Sequence, residues 1–422
     1  MARKMKDSGI EWIGEIPEGW EIGQIGQLYS ERRTKVSDKD YPPLSVTMKG
    51  ILPQLSTAAK TDAHDDRKLV CKGDFAINSR SDRRGSCGIS EQDGSISLIN
   101  TVLQPRGEMN PGYYNWLFHT SMFADEFYKW GHGIVDDLWT TGWSDMKKIG
   151  VPVPSKCEQK QLAEHLNVEC SHIDSILSKT RASIEEYKKL KQAIITQAVT
   201  KGVRGERERK DSGNPWFGQI PTDWKLSRVG LHFSIILGKM LCNAPLNDTY
   251  TLEPYYCAAD VHFDGVADGE RKKMWFSPIE KDLYRVSVGD LLVVEGGAGA
   301  GGSAIVENQD SYTYIQNSIM IVRSKGNTDN RYLRYLLEFL VKQGYIDIVC
   351  NKATIPHFTK DKLSCVPFCL CPTGEQKEIA DYLDAKCAEI DGLIAKKEQL
   401  VKELESYKKS LIYEVVTGKR EV

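Results

Sequence analysis

DSGIEWIGEIPEGWEIGQ at residues 7–24 returns as DSGNPWFGQIPTDWKLSR at residues 211–228, and this return decides the architecture. Asp7, Ser8, Gly9, Trp12, Gly14, Ile16, Pro17 and Trp20 match Asp211, Ser212, Gly213, Trp216, Gly218, Ile220, Pro221 and Trp224 at a constant offset of 211 − 7 = 204. Two tryptophans and a proline aligned without a gap mark an internal repeat. The far ends of the copies repeat as well. Glu158-Gln159-Lys160 aligns with Glu375-Gln376-Lys377 at 375 − 158 = 217, and the same offset carries Leu166 to Leu383, Cys170 to Cys387 and Val199-Thr200 to Val416-Thr417. The offset grows by 217 − 204 = 13, so the second copy holds that many extra residues, while the two middles share almost nothing. Common ends around different middles predict one scaffold that presents two different surfaces.

The junction between the copies, VTKGVRGERERKDSGNPWFGQIP, resembles the C-terminus VTGKREV joined to the N-terminus MARKMKDSGIEWIGEIP. That is the pattern of a ring-like arrangement with neighbouring termini and a pseudo-two-fold internal repeat.

Residues 158–200 contain neither Pro nor Gly. Leu162, Leu166, Ile173, Ile176, Leu177, Ile184, Tyr187, Ile194 and Ala198 follow steps of three and four once Cys170, Thr180 and Lys191 fill the gaps. This is heptad spacing, and Gly202 ends it. Ile379, Leu383, Ile390, Leu393, Val401, Leu404, Leu411 and Val415 repeat the pattern up to Gly418. Each apolar stripe needs a cover, and the two helices are expected to pair antiparallel as a coiled coil.

Between the repeated ends, strands predominate. KGDFAIN at 72–78 and VGDLLVV at 288–294 read as strands opened by a Gly-Asp turn. SISLINTVLQP at 95–105 and TYIQNSIMIVR at 313–323 read as one later strand in each copy, and a helical segment follows both. The fold class is α+β: two similar globular domains at 1–155 and 205–372, separated by a central helix at 156–204 and a distal helix at 373–422.

The arrangement resembles the specificity (S) subunit family of Type I restriction-modification systems. The resemblance rests on two variable domains, on the IPxxW segments Ile16-Pro17 to Trp20 and Ile220-Pro221 to Trp224, and on long helices opening Pro154–Glu158-Gln159 and Pro372–Glu375-Gln376. It covers the whole chain. It implies two target recognition domains, each reading half of a split double-stranded DNA site, and helices that set the spacing and dock two methyltransferase subunits. Restriction subunits with translocase and endonuclease activity join outside. It implies no cofactor in this chain, with S-adenosylmethionine, ATP and magnesium used by the partner subunits.

Composition bounds this reading. A chain of 422 residues, 41% hydrophobic and 27% charged, is that of a multidomain globular protein. No apolar run approaches the roughly 18 residues of a membrane helix. The polar N-terminal stretch does not read as a secretory signal, so a cytoplasmic location is expected. Eleven scattered cysteines suit free thiols in a reducing compartment. Cys365, Cys369 and Cys371 lack zinc-site spacing and read as small apolar residues. The net charge of −2 demands that any DNA-binding face be a local basic patch.

Two motifs are weighed against an enzyme. Gly297-Ala298-Gly299-Ala300-Gly301-Gly302 fits GxGxxG after a strand, but SAIVENQDSYTYIQ follows instead of a helix, so a tight turn is expected rather than a dinucleotide site. Asn214-Pro215-Trp216-Phe217 resembles the NPPF motif of adenine methyltransferases, but the aligned copy reads Ile10-Glu11-Trp12-Ile13, so it is a scaffold element. A non-catalytic chain is expected. The alternatives are a fused methyltransferase or endonuclease, which should carry a cofactor or carboxylate motif, and a coiled-coil scaffold without DNA affinity. Candidate DNA-binding residues lie in the divergent middles: Asn78, Ser79, Arg80, Arg83 and Arg84 in NSRSDRRG; Lys239; Arg271, Lys272 and Lys273; and Lys352, Thr354 and His357. Arginines there could reach guanine edges or phosphates.

Overall fold

The computed structural model describes residues 3–54, 65–133, 139–308, 312–350 and 356–422. It divides into two compact units, 1–182 with 397–422, and 183–396. The first long helix runs Lys156–Lys201 and the second Thr373–Val416. At 1.5 Å per residue these are roughly 65–70 Å long. Each ends on a glycine in the left-handed region, Gly202 at φ 75° and Gly418 at φ 72°, where other residues are disfavoured.

Both units are built on one plan. In the first, a four-stranded antiparallel sheet has the order Cys87–Ile89, Phe75–Asn78, Asn100–Pro105, Tyr29–Glu31. In the second, Ser303–Ile305, Leu291–Val294, Ile319–Ser324 and Phe233–Leu237 repeat that order. A three-stranded sheet accompanies each. Arg67–Val70 is central in one, and Thr251–Tyr256 in the other, with Lys272–Phe276 on its edge. The Gly-Asp signal has a physical cause. Gly73 and Gly289 take φ 89° and 88°. The next carboxylate then closes the turn, Asp74 accepting from the Cys71 amide and Asp290 from the Ser287 amide, both at 2.8 Å. Matching this turn gives 290 − 74 = 216, whereas the sheet strands at Tyr29 and Phe233 still differ by 233 − 29 = 204. Most of the extra length of the second copy therefore lies between these two points.

Two expectations are corrected in detail. The stretch 95–105 is two strands, because the chain turns at Ser97: Gly94–Ile96 joins the three-stranded sheet and Asn100–Pro105 the four-stranded one. The Asn100 side chain donates to the Ser97 carbonyl at 3.0 Å to hold the turn. Residues 313–323 split the same way into Tyr314–Ile315 and Ile319–Ser324. On the first helix, the stripe passes through Leu177 and Thr180, which are buried, while Ile176 is exposed.

The long helices enter the domain cores at their ends. In the first unit Leu162, Leu166, Cys170 and Ile173 pack with Leu411, Val415 and Val416 against Trp20, Tyr113, Tyr114 and Phe118. In the second, Ile195, Ala198 and Val199 pack with Ile379, Leu383 and Cys387 against Trp224, Tyr332 and Phe368. Between 391 and 410 no residue of the second helix is fully buried. Within each unit the ion pairs run antiparallel. Asp174 pairs with Lys408 at 2.6 Å and Arg181 with Glu405 in the first unit; Lys191 with Asp391 and Arg204 with Glu378, both at 2.6 Å, in the second. Such pairs contribute little stability each but select orientation.

The repeated residues are the ones that fasten each domain to its helix. The Trp20 indole donates to Glu158 at 3.1 Å, and Trp224 to Glu375 at 3.2 Å. Arg3 and Arg207 lie over these indoles, each 5.4 Å from the ring centre, and pair with the same carboxylates. The neighbouring glutamines clamp a helix start in each domain. Gln159 accepts from the Asn110 amide and donates to the Pro154 carbonyl, both at 2.9 Å. Gln376 accepts from Asp329 at 3.0 Å and donates to Cys371 at 2.8 Å. Burial opposes ionisation of Glu158, but the bonds from Ser155, Trp20 and Arg3 outweigh it and hold the carboxyl down at about 2, below its ordinary 4.5. A depressed carboxylate contributes stability above its unfolded value that is lost as pH falls toward the folded one. Glu158→Gln should therefore flatten the loss of stability between pH 4.5 and 2, measured by urea unfolding across that range. A variant that keeps the wild-type acid slope would remove this contribution.

Candidate nucleic-acid interface

The strand Phe75–Asn78 runs into the loop 79–86 and returns as Cys87–Ile89. Asn78 and Ser79 are buried at the root of this hairpin. Asn78 accepts from the Arg80 amide at 3.1 Å, and the Ser79 hydroxyl bonds that of Thr101 at 2.9 Å. These two candidates hold the hairpin together and do not offer their side chains to a duplex. The three arginines reach the surface. Arg80 lies 3.6 Å and Arg83 3.8 Å from Asp82, while Arg84 pairs with Asp125 and stands 5.8 Å from the centre of the Tyr128 ring. The arginine side chains are 35%, 68% and 52% exposed. Exposed pairs of this kind are weak enough to be exchanged for phosphate.

In the second unit the candidates separate. Lys239 is buried, its ammonium donating to Glu280 at 2.6 Å and to the Trp275 carbonyl at 2.8 Å beneath the Tyr250 ring. Burial works against the Glu280 carboxylate, yet the bonds from Lys239 and Ser277 keep its pKa below the ordinary value. Lys239 therefore pins the segment beside Tyr250 and is no free cation. Arg271 lies 4.8 Å from the Tyr256 ring centre and 3.2 Å from Asp260, on the wall of a cleft of about 590 Å³. Lys272 and Lys273 are exposed on the edge strand Lys272–Phe276. His357 is exposed, 3.8 Å from Glu295. Lys352 and Thr354 lie outside the described residues.

The glycine run joins two antiparallel strands, Leu291–Val294 and Ser303–Ile305, as a turn. Asn214 caps a local turn by accepting from the Trp216 amide at 3.1 Å, and Phe217 fills the core as Ile13 does in the first unit. Cys369 and Cys371 are buried in the second core and Cys365 is exposed. Among the described residues, no helix is long and apolar enough to cross a membrane.

Comparison with known proteins agrees with this plan. Residues 222–403 match the Type I restriction modification DNA specificity domain family. A chain of Methanocaldococcus jannaschii, named as the type I restriction enzyme MjaX specificity subunit, is 25% identical, covering 96% of this chain and 95% of its own. A chain in a structure concerned with complex assembly and conformational transition of the type I R-M system superposes with a TM-score of 0.72 at 14% identity, covering 95% of this chain and 98% of that one. The HsdS subunit from Thermoanaerobacter tengcongensis superposes with a TM-score of 0.55 at 16% identity, covering 96% and 98%. The family match falls on the second copy, whose four-stranded sheet the first copy repeats in the same order, and over nearly its whole length the chain is similar to specificity subunits of Type I restriction-modification systems.

Proposed function

We propose that each unit binds one half of a bipartite double-stranded DNA site, and that the paired helices set the spacing between halves and dock two methyltransferase subunits. One observation carries this reading: the same sheet-and-helix frame, fastened by the same Trp, Glu and Gln contacts, holds an arginine-rich loop in one unit and a glycine-rich loop in the other. A scaffold without DNA affinity would have no use for that divergence. The adjoining subunits would bind S-adenosylmethionine, flip an adenine from the duplex and methylate it. ATP and magnesium would serve the restriction subunits, and the complex would work in the cytoplasm. The near-neutral charge of this chain suits the reading, since its partners can supply phosphate attraction.

The experiment is binding of the chain, assembled with its methyltransferase, to the duplex whose methylated sequence it sets in cells. Replacing Arg80, Arg83 and Arg84 together by Ala should weaken binding and lower the salt slope by about 0.9 for each phosphate left without its cation. Assembly should be unaffected, because all three side chains are surface groups. Unchanged affinity and slope would take this cluster out of the interface. Absence of any sequence preference in the wild-type complex would overturn the function itself.

A further inference from the structure

The two variable loops are held by the same backbone device, although no side chain in it is shared. In the first unit the segment 139–141 returns alongside the arginine loop. The Ser81 amide donates to the Trp139 carbonyl at 3.0 Å and the Thr141 amide to Ser79 at 2.9 Å, with Arg80 and Thr140 bridged between them. In the second unit the segment 356–358 returns alongside the glycine loop. The Gly297 amide donates to Pro356 at 3.1 Å and the Phe358 amide to Glu295 at 2.6 Å, with Gly296 and His357 bridged. The loop positions correspond at 297 − 81 = 216 and the returning positions at 358 − 141 = 217. The burial pattern also corresponds. Thr141 and Phe358 are buried, while Thr140 and His357 face outward.

A shared ladder with every side chain replaced is what a variable reading surface on a fixed frame requires. The first unit fills it with side chains: the loop carries Arg80, Arg83 and Arg84, and the returning segment carries Trp139, whose ring is partly exposed and whose indole bonds the Gly133 carbonyl at 3.2 Å. The second unit empties it. Gly301 and Gly302 are demanded by the fold, since a Cβ at either would lie 2.9 Å from its neighbours. Gly299 is not. It lacks the left-handed φ of Gly301, and a Cβ there would meet nothing nearer than Val294 at 3.9 Å. An exposed glycine the fold does not need, in the same loop whose Gly296 is bridged to the exposed His357, leaves room for something outside the chain to approach closely.

We propose that this strapped hairpin is the DNA-reading head of each domain: in the first, the arginines and Trp139 meet base edges and backbone, and in the second, the bare turn at Gly299 admits the duplex so that His357 reaches it. The inference rests on the DNA-binding function proposed above. It assigns Trp139, His357 and Gly299 as specificity-determining positions, one head per half-site.

The test uses the full chain assembled with its methyltransferase. The probes are the duplex that the wild-type complex methylates and two versions of it, each with one half-site scrambled. Gly299→Leu and His357→Ala should each lose about tenfold or more in affinity for the intact duplex. They should stop discriminating against one scrambled half while still discriminating against the other. Trp139→Ala should do the reverse, losing the half that the other two variants keep. His357→Ala guards against a folding artefact, because the ladder bonds on either side of His357 are made by the backbone of Pro356 and Phe358. Variants that discriminate both halves as well as wild type does would overturn the reading head while leaving DNA binding by the chain intact. A wild-type complex without half-site discrimination would instead strike down the function on which the proposal rests.

Discussion

Glu375→Ala is expected to cost about 3 kcal/mol of stability in the second unit, at the low end of what breaking a buried ion pair costs. The Glu375 side chain is 0% exposed and is the common partner of Arg207 and the Trp224 indole. Its removal leaves the indole N–H buried without an acceptor and leaves the Arg207 guanidinium, which is 20% exposed, with Asp223 at 3.6 Å and what hydration it can recover. The equivalent change in the first unit, Glu158→Ala, should cost only about 1–2 kcal/mol, near the value of a single charged hydrogen bond. There Glu158 is 30% and Arg3 32% exposed, so water replaces much of what is lost. A chain of two units need not unfold in one step. The check is therefore hydrogen exchange at the amides around Trp20 and Trp224, measured in both variants. Equal loosening at the two sites would mean that burial does not separate the two closures.

These closures also show how far the sequence can be read. Trp20, Trp224, Glu158-Gln159 and Glu375-Gln376 stand out because they do side-chain work that both copies need, and such work leaves the same residue at the same offset. Arg3 and Arg207 share that offset, 207 − 3 = 204, yet a lone arginine near a terminus carries no signal until the indole beneath it is seen. The candidate site is less legible. Asn78 and Ser79 stand among arginines in the sequence, but a strand buried on both faces and the turn root put them inside, where their polar groups satisfy neighbours. Lys239 reads as a free cation, and Glu280, which neutralises it, is 280 − 239 = 41 residues away. The ladder under both variable loops is invisible in the sequence because backbone amides and carbonyls make it, and any residue but proline can donate there. Trp139 escapes notice for the same reason: its counterpart in the repeat is Pro356, so no alignment of side chains points to it.

The central claim is that each unit carries its own half of the recognition. Transplanting residues 229–372 from a relative with a different target tests it with a large effect. The transplant keeps the first unit's domain, both long helices, Glu375-Gln376 and the Trp224 closure, because all lie outside the exchanged residues. It replaces the glycine turn, its strap and the four- and three-stranded sheets of the second unit. A mismatched half-site base typically costs about 1–3 kcal/mol, so several changed positions amount to a complete change of that half. The measurement is sequencing of methylated adenines in cells that make the hybrid chain with its methyltransferase. The account predicts a methylated site in which one half is replaced by that of the relative and the other half is unchanged. A methylation-competent hybrid in which both halves change, or neither does, would contradict it.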